Sequence, residues 1–222
     1  MTPQPIRTFG RIKSRTLKPA QAALLDDLLP RLIIPAGPFD PSAQADGHAE
    51  VWLEIGFGGG EHLAAQAARH PDVLMLGAEP FVNGVASALR HIDALGLANV
   101  RLWPGDGREL MTALPGASLH RLVILFPDPW PKARHHKRRL VSSAFAGEAA
   151  RLLRRGGRLR FATDWTDYAH QALDVFLRHP GFDWTARRAD HWRVAPADHV
   201  ATRYEMKRLG DTTPIWLEFE RV

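Results

Sequence analysis

VWLEIGFGGGEHL, residues 51–63, decides the fold. Its first five residues read as a buried strand, the glycines as a tight turn, and Glu61 onward as the start of a helix near 61–69. The same unit recurs downstream. VLMLGAE (73–79), VRLWP (100–104), RLVILF (121–126) and RLRFAT (158–163) are further strands, with helices near 82–95, 107–114 and 166–179. A helix carrying Leu140, Ala144, Phe145, Ala149 and Leu152 follows the fourth strand and is expected to stop at Gly156–Gly157. FDWTA (182–186) and PIWLEFE (214–220) alternate in period two and read as an antiparallel pair. The expected class is α/β: a mostly parallel seven-stranded sheet with a C-terminal antiparallel hairpin and helices on both faces. Ligand is expected beyond the carboxyl ends of the strands.

Upstream, Leu24, Leu25, Leu28, Leu29 and Leu32 form one face of an amphipathic helix that ends before Pro35. Residues 1–18 read as a basic arm, and 35–50 as a Pro/Gly/Ala loop. The organisation expected is an arm and helix over 1–35 and one domain over 36–222.

Composition narrows the chemistry. The chain has 222 residues and no cysteine, which excludes disulfides, cysteine zinc sites, iron–sulfur clusters and thiolate catalysis. The 11 histidines show no ligand spacing, and EHL at 61–63 is not H-E-x-x-H, so no metal is expected. No apolar run approaches membrane length, and the first residues lack the apolar core of a secretory signal. A cytoplasmic location is expected.

The net charge of +5 is unevenly placed. Residues 1–25 hold Arg7, Arg11, Lys13, Arg15 and Lys18, and residues 129–147 hold Lys132, Arg134, Lys137, Arg138 and Arg139, with no acid in either stretch. Those ten of the 29 Lys and Arg leave 19 against all 24 acids, so the remainder carries −5. Two acid-free patches suit a polyanion such as nucleic acid.

Gly56, Gly58 and Gly60 are spaced G-x-G-x-G, whereas a dinucleotide loop is G-x-G-x-x-G. The third dinucleotide glycine would fall at Glu61, and an acid there opposes a pyrophosphate. A nucleoside without phosphates fits better. Glu79 ends the second strand, 19 residues after Gly60, where it can accept from both ribose hydroxyls. Asp106 follows the third strand, placed to accept from an adenine amino group, and Glu54 ends the first, near a ligand's ammonium. Three acids ending three successive strands point to a cationic nucleoside, and S-adenosylmethionine has the required sulfonium, ammonium and ribose diol.

The fourth strand runs into FPDPWPKARHHKRR, residues 126–139. Asp128 is held extended between two prolines, Trp130 offers a stacking surface, and the cations follow at once. This reads as a base-handling site with a phosphate clamp.

Here the chain resembles the bacterial tRNA (guanine-N7)-methyltransferases, which modify a variable-loop guanosine. The resemblance rests on RTFGRIKSRTLKPAQ at 8–21 and its flanks, EIGFGGG at 54–60, GAEP at 77–80, GDGREL at 105–110 and FPDPWPKARHHKRR, with ATDW at 162–165 and TRYE at 202–205. It implies that Glu54, Glu79, Asp106 and Asp128 contact S-adenosylmethionine and that Asp128 is also the catalytic residue. It implies substrate contacts for Lys132, Asp164, Thr202, Arg203, Tyr204 and Glu205. Arg134, His135, His136, Lys137, Arg138 and Arg139 would contact the RNA. The chain departs from many relatives at Pro80–Phe81 and after Glu205, where MKRLGDTTPIW lacks a Gly-His. The partner implied is tRNA, with the protein a monomer or homodimer. Other readings are an amino-group methyltransferase of nucleic acid or protein, since FPDPW nearly matches the Asp/Asn-Pro-Pro-aromatic motif, a non-catalytic RNA-binding module on the same fold, and a dehydrogenase, against which the glycine spacing argues.

Overall fold

The sheet is ordered β3-β2-β1-β4-β5-β7-β6 in a computed structural model that describes residues 16–44 and 47–222. Arg7, Arg11, Lys13 and Arg15 of the basic arm lie outside the described residues. The strands are β1 (Glu50–Ile55), β2 (Val73–Ala78), β3 (Val100–Trp103), β4 (Leu119–Leu125), β5 (Leu153–Thr163), β6 (Phe182–Trp184) and β7 (Ile215–Arg221). The first five pair in parallel, because each carries an apolar run that helices cover on both faces. One face buries Leu53, Leu74, Leu76, Leu122, Ile124 and Phe161. The other buries Trp52, Met75, Val100 and Leu102 at one side and Val123, Leu125, Ala162 and Trp216 at the other.

The helices that follow β1 to β5 lie where the periodicity predicts. They are α3 (Glu61–Arg69), α4 (Val82–Leu95), α5 (Gly107–Ala113), α6 (Ser143–Leu152) and α7 (Thr166–Leu177). One boundary differs from expectation. α6 starts after Leu140, with Ser142 accepting from the Phe145 N–H as its cap, and stops at Leu152. Gly156–Gly157 belong instead to a bulge in β5, where the pairing jumps from Leu119↔Leu153 to Arg121↔Arg158 and Gly156 takes a φ of +75°. The glycines signal a left-handed backbone, but a bulge uses one as readily as a helix end.

The leucine helix is broken in two, α1 (Pro19–Asp27) and α2 (Leu29–Leu32), because Pro30 cannot donate the next helical bond. Leu28 and Leu32 are buried with Leu89 and Ile92 of α4. Ile34 then donates to the Leu102 carbonyl at 2.8 Å, tying the segment to the sheet edge.

The expected terminal pair forms, with Phe182↔Arg221 and Trp184↔Phe219 in antiparallel register. β7 also pairs antiparallel with β5, so it lies inside the sheet and β6 forms the edge. The remaining short elements are α8 (Asp190–Arg193) and 3-10 turns at Pro41–Gln44, Ala133–Arg138 and Glu205–Lys207. Strand order reverses between β1 and β4, and a cavity opens at that switch point.

Candidate active site

A cavity of about 520 Å³ lies at the carboxyl ends of β1, β2 and β4. Its floor is the loop after β1. Gly60 has a φ of +78°, and a Cβ there would stand 2.5 Å from the Ala88 Cβ. Gly60 therefore performs the close helix packing that a dinucleotide loop assigns to the next position, and Glu61 is free of that duty. Glu61 instead pairs with Arg203 at 2.8 Å. Gly84, which carried no signal in the sequence, is equally constrained: a Cβ on it would collide with the Gly58 carbonyl.

Glu79 closes the floor. Its Oε2 accepts from the Gly58 N–H at 2.8 Å and its Oε1 from the Phe81 N–H at 2.9 Å. Burial raises its pKa against those two bonds, and the charges of Asp128 and Glu54 raise it further. Glu79 thus shares one space with two other carboxylates, one from the end of β1 and one from the loop after β4. Such a group of acids favours a cation between them. Glu54 is buried, with Oε2 2.8 Å from His62 Nδ1. Asp106 caps α5 by accepting from the Arg108 N–H, and its carboxylate also takes the Arg108 guanidinium at 2.7 and 2.9 Å. Any ligand amino group at Asp106 would share it with Arg108.

Asp128 stands at the mouth. Its side chain opens to the cavity, yet surrounding protein desolvates it enough to raise its pKa. The backbone that presents it is strained, since Phe126 and Trp130 have φ of +51° and +44°, a region costly for residues with a Cβ. Contacts at both ends hold it. The Phe126 N–H donates to the Ala162 carbonyl and its ring stacks on Tyr204 at 5.6 Å. At the far end Arg139 Nε donates to the Pro129 carbonyl at 2.7 Å.

Several expected contact residues have other work. Arg139 is buried, and besides Pro129 its guanidinium donates to Gln171 and Asp167, both at 2.6 Å, and covers the Tyr168 ring at 4.8 Å. It clamps the Asp128 loop onto α7 and offers no charge to solvent, which corrects its assignment to RNA. His136 sits 3.3 Å from the same Asp167. Arg138 lies over the Trp130 ring at 5.0 Å, with His135 against its edge, so one face of the expected stacking platform is already covered. Lys132, Arg134 and Lys137 are exposed.

Asp164 is buried outside the cavity lining, accepting from the Gly210 N–H at 2.9 Å and the Tyr204 hydroxyl at 3.4 Å. It fastens the 210 turn to the end of β5. Thr202 and Glu205 form a capping box: the Glu205 carboxylate accepts from the Thr202 N–H at 2.8 Å, and the Thr202 hydroxyl accepts from the Glu205 N–H at 3.4 Å. The T-x-x-E spacing of TRYE would have revealed this. Thr202, Arg203 and Tyr204 line the cavity, as do Phe81 and Leu140, which no motif marked. Among the described residues no group of three or more His, Cys, Asp or Glu could hold a metal, and no helix is long and apolar enough to cross a membrane.

A doubly wound parallel sheet, a glycine loop after β1 and an acid-lined cavity at the switch point define a Rossmann-like methyltransferase. Residues 48–217 match the family model described as "Putative methyltransferase". The fold matches the 16S rRNA (adenine(1408)-N(1))-methyltransferase from Catenulisporales acidiphilia at a TM-score of 0.56 and 18% identity, covering 85% of this chain and 98% of that one. A mutant of that enzyme with cosubstrate SAM matches at a TM-score of 0.58 and 16% identity, over 83% and 92%. Sequence is more specific. The chain is 56% identical over 218 residues to the tRNA (guanine-N(7)-)-methyltransferase of Caulobacter sp., spanning 98% of this chain and 96% of the relative. It is 49% identical to the protein of that name in Hyphomonas neptunium, over 96% and 99%. The chain belongs to the tRNA (guanine-N7)-methyltransferase family.

Proposed function

We propose that the protein transfers the methyl group of S-adenosylmethionine to N7 of a variable-loop guanosine in tRNA, leaving 7-methylguanosine. The observation that carries this reading is the convergence of Glu54, Glu79 and Asp128 on one switch-point cavity, close enough that two of them raise the pKa of the third. That donor set fits a cationic nucleoside, and the cavity's volume is in the range of small-molecule sites. Glu79, already oriented by Gly58 and Phe81, keeps lone pairs for a ribose diol. Glu54, oriented by His62, faces the ammonium. When bound, S-adenosylmethionine supplies a methyl group on a sulfonium.

Guanine N7 has an in-plane lone pair and no proton, so the chain needs no general base. The N7–carbon bond forms as the carbon–sulfur bond breaks, and positive charge passes to the purine. Asp128 offsets that charge from a backbone fixed before the substrate arrives. Phe126 and Tyr204 wall the cavity beside it and limit how the base can approach. Exposed Lys132, Arg134 and Lys137 sit on the same loop to engage phosphates. Family membership favours N7 over an exocyclic amino group.

The test is incubation with bulk tRNA and labelled S-adenosylmethionine, followed by borohydride–aniline cleavage. Label at a cleavable guanosine is expected, and label elsewhere or nowhere rejects the reading. Glu79→Ala is expected to weaken S-adenosylmethionine binding by about 1.5–3 kcal/mol, the loss of charge-assisted hydrogen bonds, and to leave tRNA affinity unchanged. Calorimetry with each ligand checks both.

A further inference from the structure

Asp198 lies at the other end of the sheet from the cavity just described, and it receives four donors, two on its carboxylate and two on its carbonyl. Its Oδ2 takes Arg121 NH2 at 2.9 Å and its Oδ1 takes Arg160 NH1 at 2.8 Å. Its carbonyl accepts from Gln66 Nε2 at 2.6 Å and Arg69 NH1 at 2.7 Å. Burial would raise the carboxyl's pKa, but the two guanidiniums outweigh it and hold it at about 2. The carboxylate is therefore charged at any working pH. A second cavity, of about 470 Å³, opens there and is lined by Arg121, Arg154, Arg158 and Arg160. It resembles an anion site, but Asp198 already occupies its two innermost cations, and Glu218 takes Arg160 as well.

What Asp198 anchors is the segment that runs on to the active-site wall. His199 stacks on His62 at 5.5 Å, meets the Trp216 ring at 4.4 Å, and contacts Glu205 at 2.8 Å. Glu205 in turn holds the capping box with Thr202, and Thr202 to Tyr204 line the first cavity. His62 is the partner of Glu54. The anchor and the cavity wall are thus joined through three residues of chain, 199–201, and one buried polar network.

We propose that Asp198 is a positioning residue for methyl transfer: it pins the 198–205 segment to β4 and β5 and so sets where the Thr202–Tyr204 wall stands. A displaced wall would leave the reacting atoms misaligned without touching the phosphate contacts on the 132–137 loop. The inference rests on the cavity being the transfer site.

Asp198→Asn leaves the Arg121 guanidinium without its carboxylate in a desolvated place and endangers folding. Asp198→Asn combined with Arg121→Gln restores the charge balance, since Arg160 keeps Glu218, but removes the ion pairs that hold the segment to β4 and β5, leaving only the carbonyl bonds from Gln66 and Arg69. Hydrogen exchange of the Thr202, Glu205 and Met206 amides in the wild-type full chain is the first measurement. These should be protected like the sheet, and exchange at free-chain rates overturns the proposal whatever the variants do. In the paired variant they should exchange at least about tenfold faster, and kcat should fall about 10- to 100-fold with KM for tRNA unchanged and the melting temperature nearly kept. A merely structural role would lower the melting temperature and spare kcat. Wild-type exchange and turnover in a folded paired variant would also overturn the proposal. If the wild type forms no 7-methylguanosine while its amides are protected, the site reading fails and the pin stands.

Discussion

Asp128→Ala is expected to fold as the parent does and to turn over at least about 100-fold more slowly, the loss seen when one preorganised electrostatic group is removed. The carboxylate acts on the methylated purine rather than on the free base, because that purine becomes cationic only as the bond forms. Its raised pKa also gives the direction of the stability effect. Burial raises it in the folded state, so folding favours the protonated form, and the charged form at neutral pH works against stability. Stability from this group therefore declines as pH rises through its folded pKa, and Asp128→Ala should melt no lower than the parent at neutral pH. Activity runs the other way. It needs the carboxylate, so it should fall on acidification, with the limb above the ordinary aspartate value of 3.8. Single-turnover rates against pH, with melting curves beside them, check all three statements. A folded Asp128→Ala protein with parental turnover would remove Asp128 from the chemistry.

The second large effect falls on Arg139 and concerns stability. Arg139→Ala removes charge-assisted bonds to Pro129, Gln171 and Asp167 and uncovers Tyr168, and a loss of about 3 kcal/mol is expected. Because the clamp holds the strained loop, turnover should fall too, while the salt dependence of tRNA binding should not change. Lys132, Arg134 and Lys137 should behave in the opposite way. Replacing all three with Ala should leave the melting temperature alone and reduce the slope of log K against log salt by about three, one unit per phosphate contact. Affinity for S-adenosylmethionine should stay the same, since that pocket uses acids from other strand ends. Filter binding over a salt series and thermal melts separate the two sets. A stable Arg139→Ala protein that lost one unit of slope would return Arg139 to the RNA surface, and an unchanged slope in the triple variant would make that basic run a solvated face.

The residues whose roles were legible in sequence are those whose signals are local. Apolar runs buried on two faces announce parallel strands, and Gly58 and Gly60 announce a turn followed by a helix, because backbone sterics act over a few residues. Glu54, Glu79 and Asp106 could be assigned to one site because strands that run in parallel bring their carboxyl ends together. Side-chain partners are another matter. Arg139 sits in a run of cations that reads as uniform, and only the packing of α7, 28 residues on, shows that this one is buried against Asp167. Asp164 carries a structural bond that no local signal announces, since the 210 turn that it holds lies 46 residues away in sequence. Asp198 carries no motif at all, and its partners Arg121 and Arg160 are apolar-strand neighbours of no apparent use until the 198 segment crosses them. The sequence by itself determined the α/β order, the switch-point site and the family motifs, because periodicity and strand-end placement are set by the chain locally. Only the tertiary structure decided which charges face solvent, which are clamps, and where β7 inserts, because burial and ion pairing depend on groups far apart in sequence that meet only when the sheet closes.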